Sequence, residues 1–335
     1  MPEGAINLGC SAQALVTLSA LLSESMYTDD SDRKMVVPAR AAGSVPYAMV
    51  KLSTGVDSQL NVLQWSERGP ACILVHGLGD AACVWNDFAT RISGYCRTVA
   101  PDLRGHGRSS WADSAGYAPE LMVADLLRVM DAFGGPRPIL VGHSWGGDIA
   151  MRVAALDCRR ISAVVLVDIG PECDQQGVDR VMSDFEEMPW RYDAAEQYAQ
   201  WLAERRPLAM QEALHELAHY SLRRTADNRF ELTMDPALRS VGSTRDSDEA
   251  NRTYNDVVLW AALDAISCPV LVVRGVGSSV LRRDSAKHMV NSSLANGRLV
   301  EVDNAGHSVM IDNPNGFHAA VATFIGSVLA LNTKS

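Results

Sequence analysis

Four short apolar runs constrain this chain most: ACILV at 71–75, ILVG at 139–142, AVVLV at 163–167 and VLVV at 270–273. A strand with one wet face alternates apolar and polar residues. A run that does not alternate must be covered on both sides, as in a parallel sheet held between layers of helix. Each run opens into a loop with glycine or a turn-forming residue (HGLGD, GHSWGG, DIGPE, RGVG), and CRTVAPDLRGHGRS repeats the form. Between the runs lie segments of helical spacing, such as Leu121, Leu126, Val129 and Met130. Upstream, AMVKLSTG and LNVLQWSERG read as a hairpin pair.

The strand-helix rhythm stops at about Cys173 and does not resume until CPVLVVRG. In between there is little strand signal, and Met210, Leu214 and Leu217 recur at helical spacing. After RLVEVDNAGH the chain ends in an expected helix from Pro314 to Leu331, with Asn313-Pro314 as its cap and first turn. The pattern predicts one α/β domain made of residues 46–172 and 267–335, interrupted by a helical insertion at 173–266. Residues 1–45 form an N-terminal extension, partly helical. At 335 residues and 47% apolar content, the chain can bury a large core.

A net charge of −10 argues against sequence-independent nucleic-acid binding, which needs clustered positive charge. The seven cysteines, at 10, 72, 83, 96, 158, 173 and 268, show no paired spacing and suit reduced thiols in a cytoplasmic protein. Ala12 to Leu22 is apolar but too short to span a bilayer and follows no basic residue. Leu15, Leu18 and Leu22 make it an amphipathic helix instead, able to dock on its own domain or on a second subunit. The oligomeric state stays open. No membrane, nucleic acid, cofactor or metal is expected; the partner is a small-molecule substrate.

VGHSWGG places Ser144 in Gly142-x-Ser144-x-Gly146, between a strand and a helix. A sharp turn there lifts the hydroxyl out of the sheet, the glycines admit close backbone, and the helix N-terminus faces a developing oxyanion. The amides of Leu78, in HGLGD, and of Trp145 are the expected oxyanion-hole pair. His143, beside the nucleophile, should point the other way. A second motif, His215-Glu216-x-x-His219, formally fits a zinc site but lacks a third ligand and lies in the insertion, so coincidence is the better reading.

The ordered series HGLGD, PDLRGHGRS, GHSWGG, LVDIGP, insertion, LVVRG and DNAGHS resembles the α/β-hydrolase fold family, as a serine hydrolase with a helical cap. The resemblance implies a mostly parallel eight-stranded sheet flanked by helices, a cap after the sixth strand, and a triad in the order nucleophile, acid, histidine. His307 matches the family's histidine, which would shuttle the Ser144 proton. The acid commonly follows the seventh strand, but that turn reads Gly275-Val276-Gly277-Ser278-Ser279-Val280-Leu281, with Ser279 where aspartate is usual. Two readings follow. In one, Asp168, ending the sixth strand, stands in as the acid, as in certain haloalkane dehalogenases; in the other, Ser279 marks a catalytically impaired small-molecule binder, natural or altered.

The favoured function is hydrolysis of a carboxylic ester or lactone through an acyl-enzyme on Ser144, with His307 as base and Asp168 as acid. Thioester and carbon–carbon bond hydrolysis use the same constellation and remain alternatives. Trp190, Trp201, Trp260, Met182, Met188 and Met210 give the insertion apolar surface, which suits a neutral, moderately bulky substrate.

Overall fold

The computed structural model describes residues 33–36, 47–55, 58–112, 114–239 and 249–332. The expected helix at Ala12 to Leu22 lies outside the described residues. The chain begins with strands β1 (Arg33–Val36), β2 (Ala48–Gly55), β3 (Ser58–Gln64) and β4 (Ala71–Val75), then helix α1 (Asn86–Ile92) and strand β5 (Arg97–Pro101). Helix α2 (Pro119–Phe133), strand β6 (Ile139–His143), helix α3 (Trp145–Leu156) and strand β7 (Ala163–Val167) follow. The insertion holds α4 (Gln175–Glu187), β8 (Arg191–Tyr192), α5 (Ala195–Arg205), α6 (Gln211–Ser221), β9 (Leu222–Arg224), β10 (Phe230–Leu232) and α7 (Glu249–Ala265). The chain closes with β11 (Val270–Gly275), α8 (Arg283–His288), β12 (Gly297–Val302), α9 (Val309–Asp312) and α10 (Pro314–Asn332).

The main sheet has the order β1-β2-β3-β5-β4-β6-β7-β11-β12. The six strands from β5 to β12 are parallel, and β1 to β3 join as an antiparallel edge. The eight strands from β2 onward are those expected; β1 is a ninth, pairing with β2 from within the N-terminal extension. The four apolar runs do lie inside the sheet, and every residue of β4, β6, β7 and β11 is buried.

Helices cover both faces because each carries one apolar stripe. Met122, Leu126, Val129 and Phe133 of α2 are buried, as are Phe317, Val321, Phe324, Ile325 and Val328 of α10. Helix α3 packs against α2 and α7, while α10 packs against α1. At roughly 1.5–3 kcal/mol per fully buried large apolar side chain, these stripes dominate the favourable side of folding.

The chain leaves β4 for β5 on one side and returns to β6 on the other. Such a reversal opens a crevice at the carboxyl ends of the strands. The loops after β4, β6, β7, β11 and β12 gather at that edge, which is where the candidate residues fall.

The insertion is not wholly helical. Strands β8, β10 and β9 form a separate three-stranded antiparallel sheet. At two or three residues each, they are too short for a two-residue period to show in the sequence. The insertion enters over the β11 turn, where Cys173 bridges Leu281 and the Asp174 N–H donates to the Val280 carbonyl at 2.8 Å. Farther on it grips the core again: the Asp235 N–H bonds the Gly105 carbonyl at 2.7 Å, and the Tyr220 hydroxyl donates to Asp102 at 2.7 Å.

Candidate active site

Ser144 sits between β6 and α3 with φ 50° and ψ −122°, a region that costs a non-glycine residue about 1–3 kcal/mol. The fold over-determines this turn. The Ser144 N–H donates to the Val167 carbonyl at 3.1 Å, and the Ser144 carbonyl accepts from the N–H groups of Gly147 and Asp148 at 2.8 and 3.1 Å. The flanking glycines are sterically required. A Cβ on Gly142 would lie 2.4 Å from the Gly146 carbonyl oxygen, and one on Gly146 would lie 2.4 Å from the Val75 oxygen. The serine expected as nucleophile therefore stands on a strained elbow at the sheet edge, as the motif predicted.

His307 and Asp168, the expected base and the first of the two acid readings, meet. His307 Nδ1 lies 2.8 Å from Asp168 Oδ2, across 139 residues of sequence. Asp168 is wholly buried, while the His307 side chain keeps about a fifth of its surface exposed. Like Ser144, Asp168 follows a buried strand and holds a positive φ, 51°. Its N–H donates to the Val273 carbonyl at 2.8 Å, and its Oδ1 accepts the Gly275 N–H at 3.3 Å. An imidazole whose Nδ1–H is held by a carboxylate presents its Nε2 lone pair as a proton acceptor.

Ser279 takes no part in this contact: it is exposed, and its backbone lies under the insertion, where a Cβ on Gly177 would fall 1.8 Å from the Ser279 oxygen. The residue before it does take part. Ser278 Oγ lies 2.5 Å from Asp168 Oδ2 and accepts the N–H groups of Val280 and Leu281 at 3.1 and 3.2 Å. With two amides directed at its oxygen, the hydroxyl proton is left to point at the carboxylate. Ser278 was missed in the sequence reading, although it occupies the serine of the family turn pattern.

The loop carrying Leu78 is shaped by two buried histidines. His76 bonds the Gly77 carbonyl through Nδ1 at 2.8 Å and accepts the Leu103 N–H on Nε2 at 2.9 Å. His106 bonds the Arg104 carbonyl through Nδ1 at 3.1 Å and accepts the Gly79 N–H on Nε2 at 3.2 Å. Burial pushes their pKa values down to about 4 and about 3, so both stay neutral and keep these tautomers. The Asp80 N–H closes the turn on the Gly77 carbonyl at 3.2 Å. The Leu78 N–H has no hydrogen-bond partner among the described residues, as an oxyanion donor in waiting requires. Trp145, the other expected donor, is the first residue of α3.

His143 does not point away from the site. Its Nε2 lies 2.9 Å from the His307 carbonyl oxygen, and the two rings are 4.7 Å apart. Burial, with His307 close by, pushes the His143 pKa down to about 3, so the neutral ring donates Nε2–H to that carbonyl. The strand end that carries His143 is covered by the His307 loop, which explains the difference from expectation.

The rival motif does not assemble a metal centre. His215 and His219 are exposed on α6, Glu216 accepts from Asn86 at 3.0 Å, and no cluster of three metal-binding side chains occurs among the described residues. Of the tryptophans expected to give the insertion its apolar surface, Trp201 and Trp190 are stacked under the guanidinium groups of Arg205 and Arg239, at 4.0 and 4.6 Å. Trp260 donates to Glu172 at 3.2 Å. These contacts are packing within the insertion and its hinge. Phe185 packs against the loop of Leu78: its ring would lie 3.2 Å from a Cβ on Gly79.

Comparison with known proteins agrees with this fold. The model of the alpha/beta hydrolase family matches residues 72–320. The 3-hydroxybutyrate-oligomer hydrolase of Cupriavidus necator is 29% identical over 276 residues, covering 79% of this chain and 92% of that protein. An esterase of Mycobacterium tuberculosis is 29% identical over 266 residues, covering 76% of this chain and 82% of the esterase. The crystal structure of an alpha/beta hydrolase from Novosphingobium aromaticivorans superposes with a TM-score of 0.72 at 26% identity, covering 86% of this chain and 99% of that one. With a fold, an elbow and a family match that coincide over the same residues, the chain belongs to the α/β hydrolase family.

Proposed function

We propose that this protein is a serine hydrolase that cleaves a carboxylic ester or lactone of a moderately bulky, apolar small molecule through an acyl-enzyme on Ser144. The observation that carries the reading is the 2.8 Å contact between His307 Nδ1 and buried Asp168, at the same sheet edge as the strained Ser144 elbow. It favours a working triad over a binder disabled at Ser279.

In the proposed reaction His307 Nε2 takes the Ser144 hydroxyl proton as Oγ adds to the substrate carbonyl carbon. The carbonyl π pair moves onto oxygen, where the Leu78 and Trp145 amides face it. Collapse expels the alkoxide, which receives the proton from His307 and leaves the acyl group on Ser144. Water, deprotonated by His307, then repeats the addition, and the Ser144 oxygen departs with its proton restored. Asp168 keeps the imidazole in the Nδ1–H tautomer and offsets its transient positive charge.

Two further observations support the substrate class. Phe185 places an apolar wall against the Leu78 loop. The relatives include an esterase and a hydrolase of 3-hydroxybutyrate oligomers, which are themselves chains of carboxylic esters. The test is a panel of p-nitrophenyl esters and aromatic lactones, with a fluorophosphonate to label the nucleophile. We expect turnover of mid-length acyl esters and mass-shifted Ser144, both abolished in Ser144→Ala. No turnover across the panel together with an unlabelled Ser144 would overturn the reading.

A further inference from the structure

Asp80 is a buried carboxylate with no role in the chemistry above, yet it lies at the junction of three elements of the site. It ends the loop that carries Leu78, and its side chain is 2% exposed. Its Oδ1 accepts from Arg206 Nη1 at 2.7 Å, a contact spanning 126 residues and made from the insertion, just past α5. Its Oδ2 lies 3.7 Å from His143 Nδ1, and the far side of that ring donates to the His307 carbonyl. The guanidinium also acts on Asp312, whose Oδ2 accepts the Gly306 N–H at 2.8 Å, one residue before His307. The chain just after Arg206 is tied to the same region, since the Met210 N–H donates to the Ile311 carbonyl at 2.9 Å.

We propose that Arg206 is a positioning residue: through its ion pair with Asp80, which abuts His143, it locks the Leu78 loop and the His307 loop in register with the insertion. One guanidinium ties the insertion to Asp80, at the end of the Leu78 loop, while Asp312 holds the loop of His307. A seated insertion completes the site; a displaced one leaves Asp80 buried without its counter-ion, which is costly in a low dielectric. The insertion thus acts on the machinery as well as covering it.

The electrostatics at Asp80 supply a signature that a merely structural contact would lack. Burial raises the Asp80 pKa, but Arg206, through its charge and its hydrogen bond, outweighs it, so the carboxyl lies below its ordinary value. The groups facing it are Arg206, His143, His76, His106, Cys83 and Tyr198. Without Arg206 the burial effect is left in charge, and the Asp80 pKa rises above its ordinary value. For a carboxylate raised in the folded state, proton uptake stabilises the fold as pH drops.

The experiment compares wild type, Arg206→Met, Arg206→Lys, Asp80→Asn and the Arg206→Met/Asp80→Asn double variant. The rate of Ser144 phosphonylation is measured against fluorophosphonate concentration, and thermal unfolding is followed from pH 5 to 8.5. Its labelling arm rests on the proposed serine-hydrolase reading; its melting arm does not. We expect Arg206→Met to lower the limiting labelling rate about 10-fold or more with little change in half-saturation, and Arg206→Lys to restore most of it. The melting penalty of Arg206→Met should shrink as pH falls, and that trend should vanish in the double variant. If Arg206→Met does not fold, Arg206→Lys and Asp80→Asn carry the same cycle. A change confined to half-saturation, or losses that simply add in the double variant, would overturn the proposal. If wild type is not labelled at all, the serine-hydrolase reading fails and the melting arm alone decides the Arg206–Asp80 coupling.

Discussion

One oxygen of Asp168, Oδ2, receives both the His307 Nδ1–H and the Ser278 hydroxyl, at 2.8 and 2.5 Å. A carboxylate so held has little freedom to rotate, and its remaining oxygen is taken by the Gly275 amide. Asp168→Asn should therefore lower ester turnover on the order of 10⁴-fold, because an amide can present its NH₂ to Nδ1 and favour the wrong tautomer. Ser279→Asp on that background should restore less than a tenth of the loss, since Ser279 is exposed while Asp168 is not. Recovery of most of the rate by the added aspartate would reverse this assignment. Ser144 and His307 were legible in the sequence because each stands in a short motif directly after a strand. Asp168 was legible only as one of two readings, and its contact with His307 is what supports the first. Ser278, Asp80 and Arg206 were not legible as partners. Their contacts span 110 and 126 residues, and no short motif encodes such a distance.

Among the elements, α6 ties the insertion to the core through the Glu216–Asn86 hydrogen bond and through the buried hydroxyl of Tyr220. Tyr220 donates to Asp102, which also accepts from the amides of Ala82 and Arg108 at 2.8 and 2.9 Å and from Asn61 at 3.0 Å. Asp102 is fully buried, and burial raises its pKa against the pull of those four donors. Tyr220→Phe removes one donor from a buried charge, at a cost of about 1–3 kcal/mol. The expected result is a lower urea midpoint with an unchanged slope, and a larger loss of ester turnover than of overall stability. A midpoint within error of wild type would mean that water replaces the hydroxyl. The sheet was legible in outline because β4, β6, β7 and β11 are apolar on both faces, which only a covered parallel sheet accepts. Strands β8, β9 and β10 were not, because their pairing is set by tertiary contact rather than by a repeat in the sequence.

For the molecule as a whole, the three histidines packed behind the candidate site make folding pH-dependent. Burial holds the pKa values of His76, His106 and His143 at about 4, about 3 and about 3, against 6.5 when unfolded. A histidine lowered in the folded state contributes stability that is complete above the unfolded value and is lost as pH falls toward the folded one. Between pH 6.5 and 4 each one can remove roughly 1.4 kcal/mol per pH unit, because the unfolded chain takes up a proton that the folded chain refuses. Asp102, Asp125 and Asp312 work in the opposite sense. Burial raises all three, so they favour the folded state as they protonate, but only once the pH approaches the carboxylate range. The histidine effect should therefore govern the upper part of the window. Urea midpoints measured at half-unit steps are expected to be level from pH 8 to 7 and to fall steeply from 6.5 toward 5. Replacing His106 with Gln keeps an amide oxygen to accept the Gly79 N–H, as Nε2 does now at 3.2 Å, and removes one titrating ring. That variant should show a shallower fall over the same interval, by about a third if the three rings contribute alike. A wild-type midpoint that stays level down to pH 5 would mean that these rings are not held neutral by burial, and that the loop bearing Leu78 is shaped by something other than their two fixed tautomers.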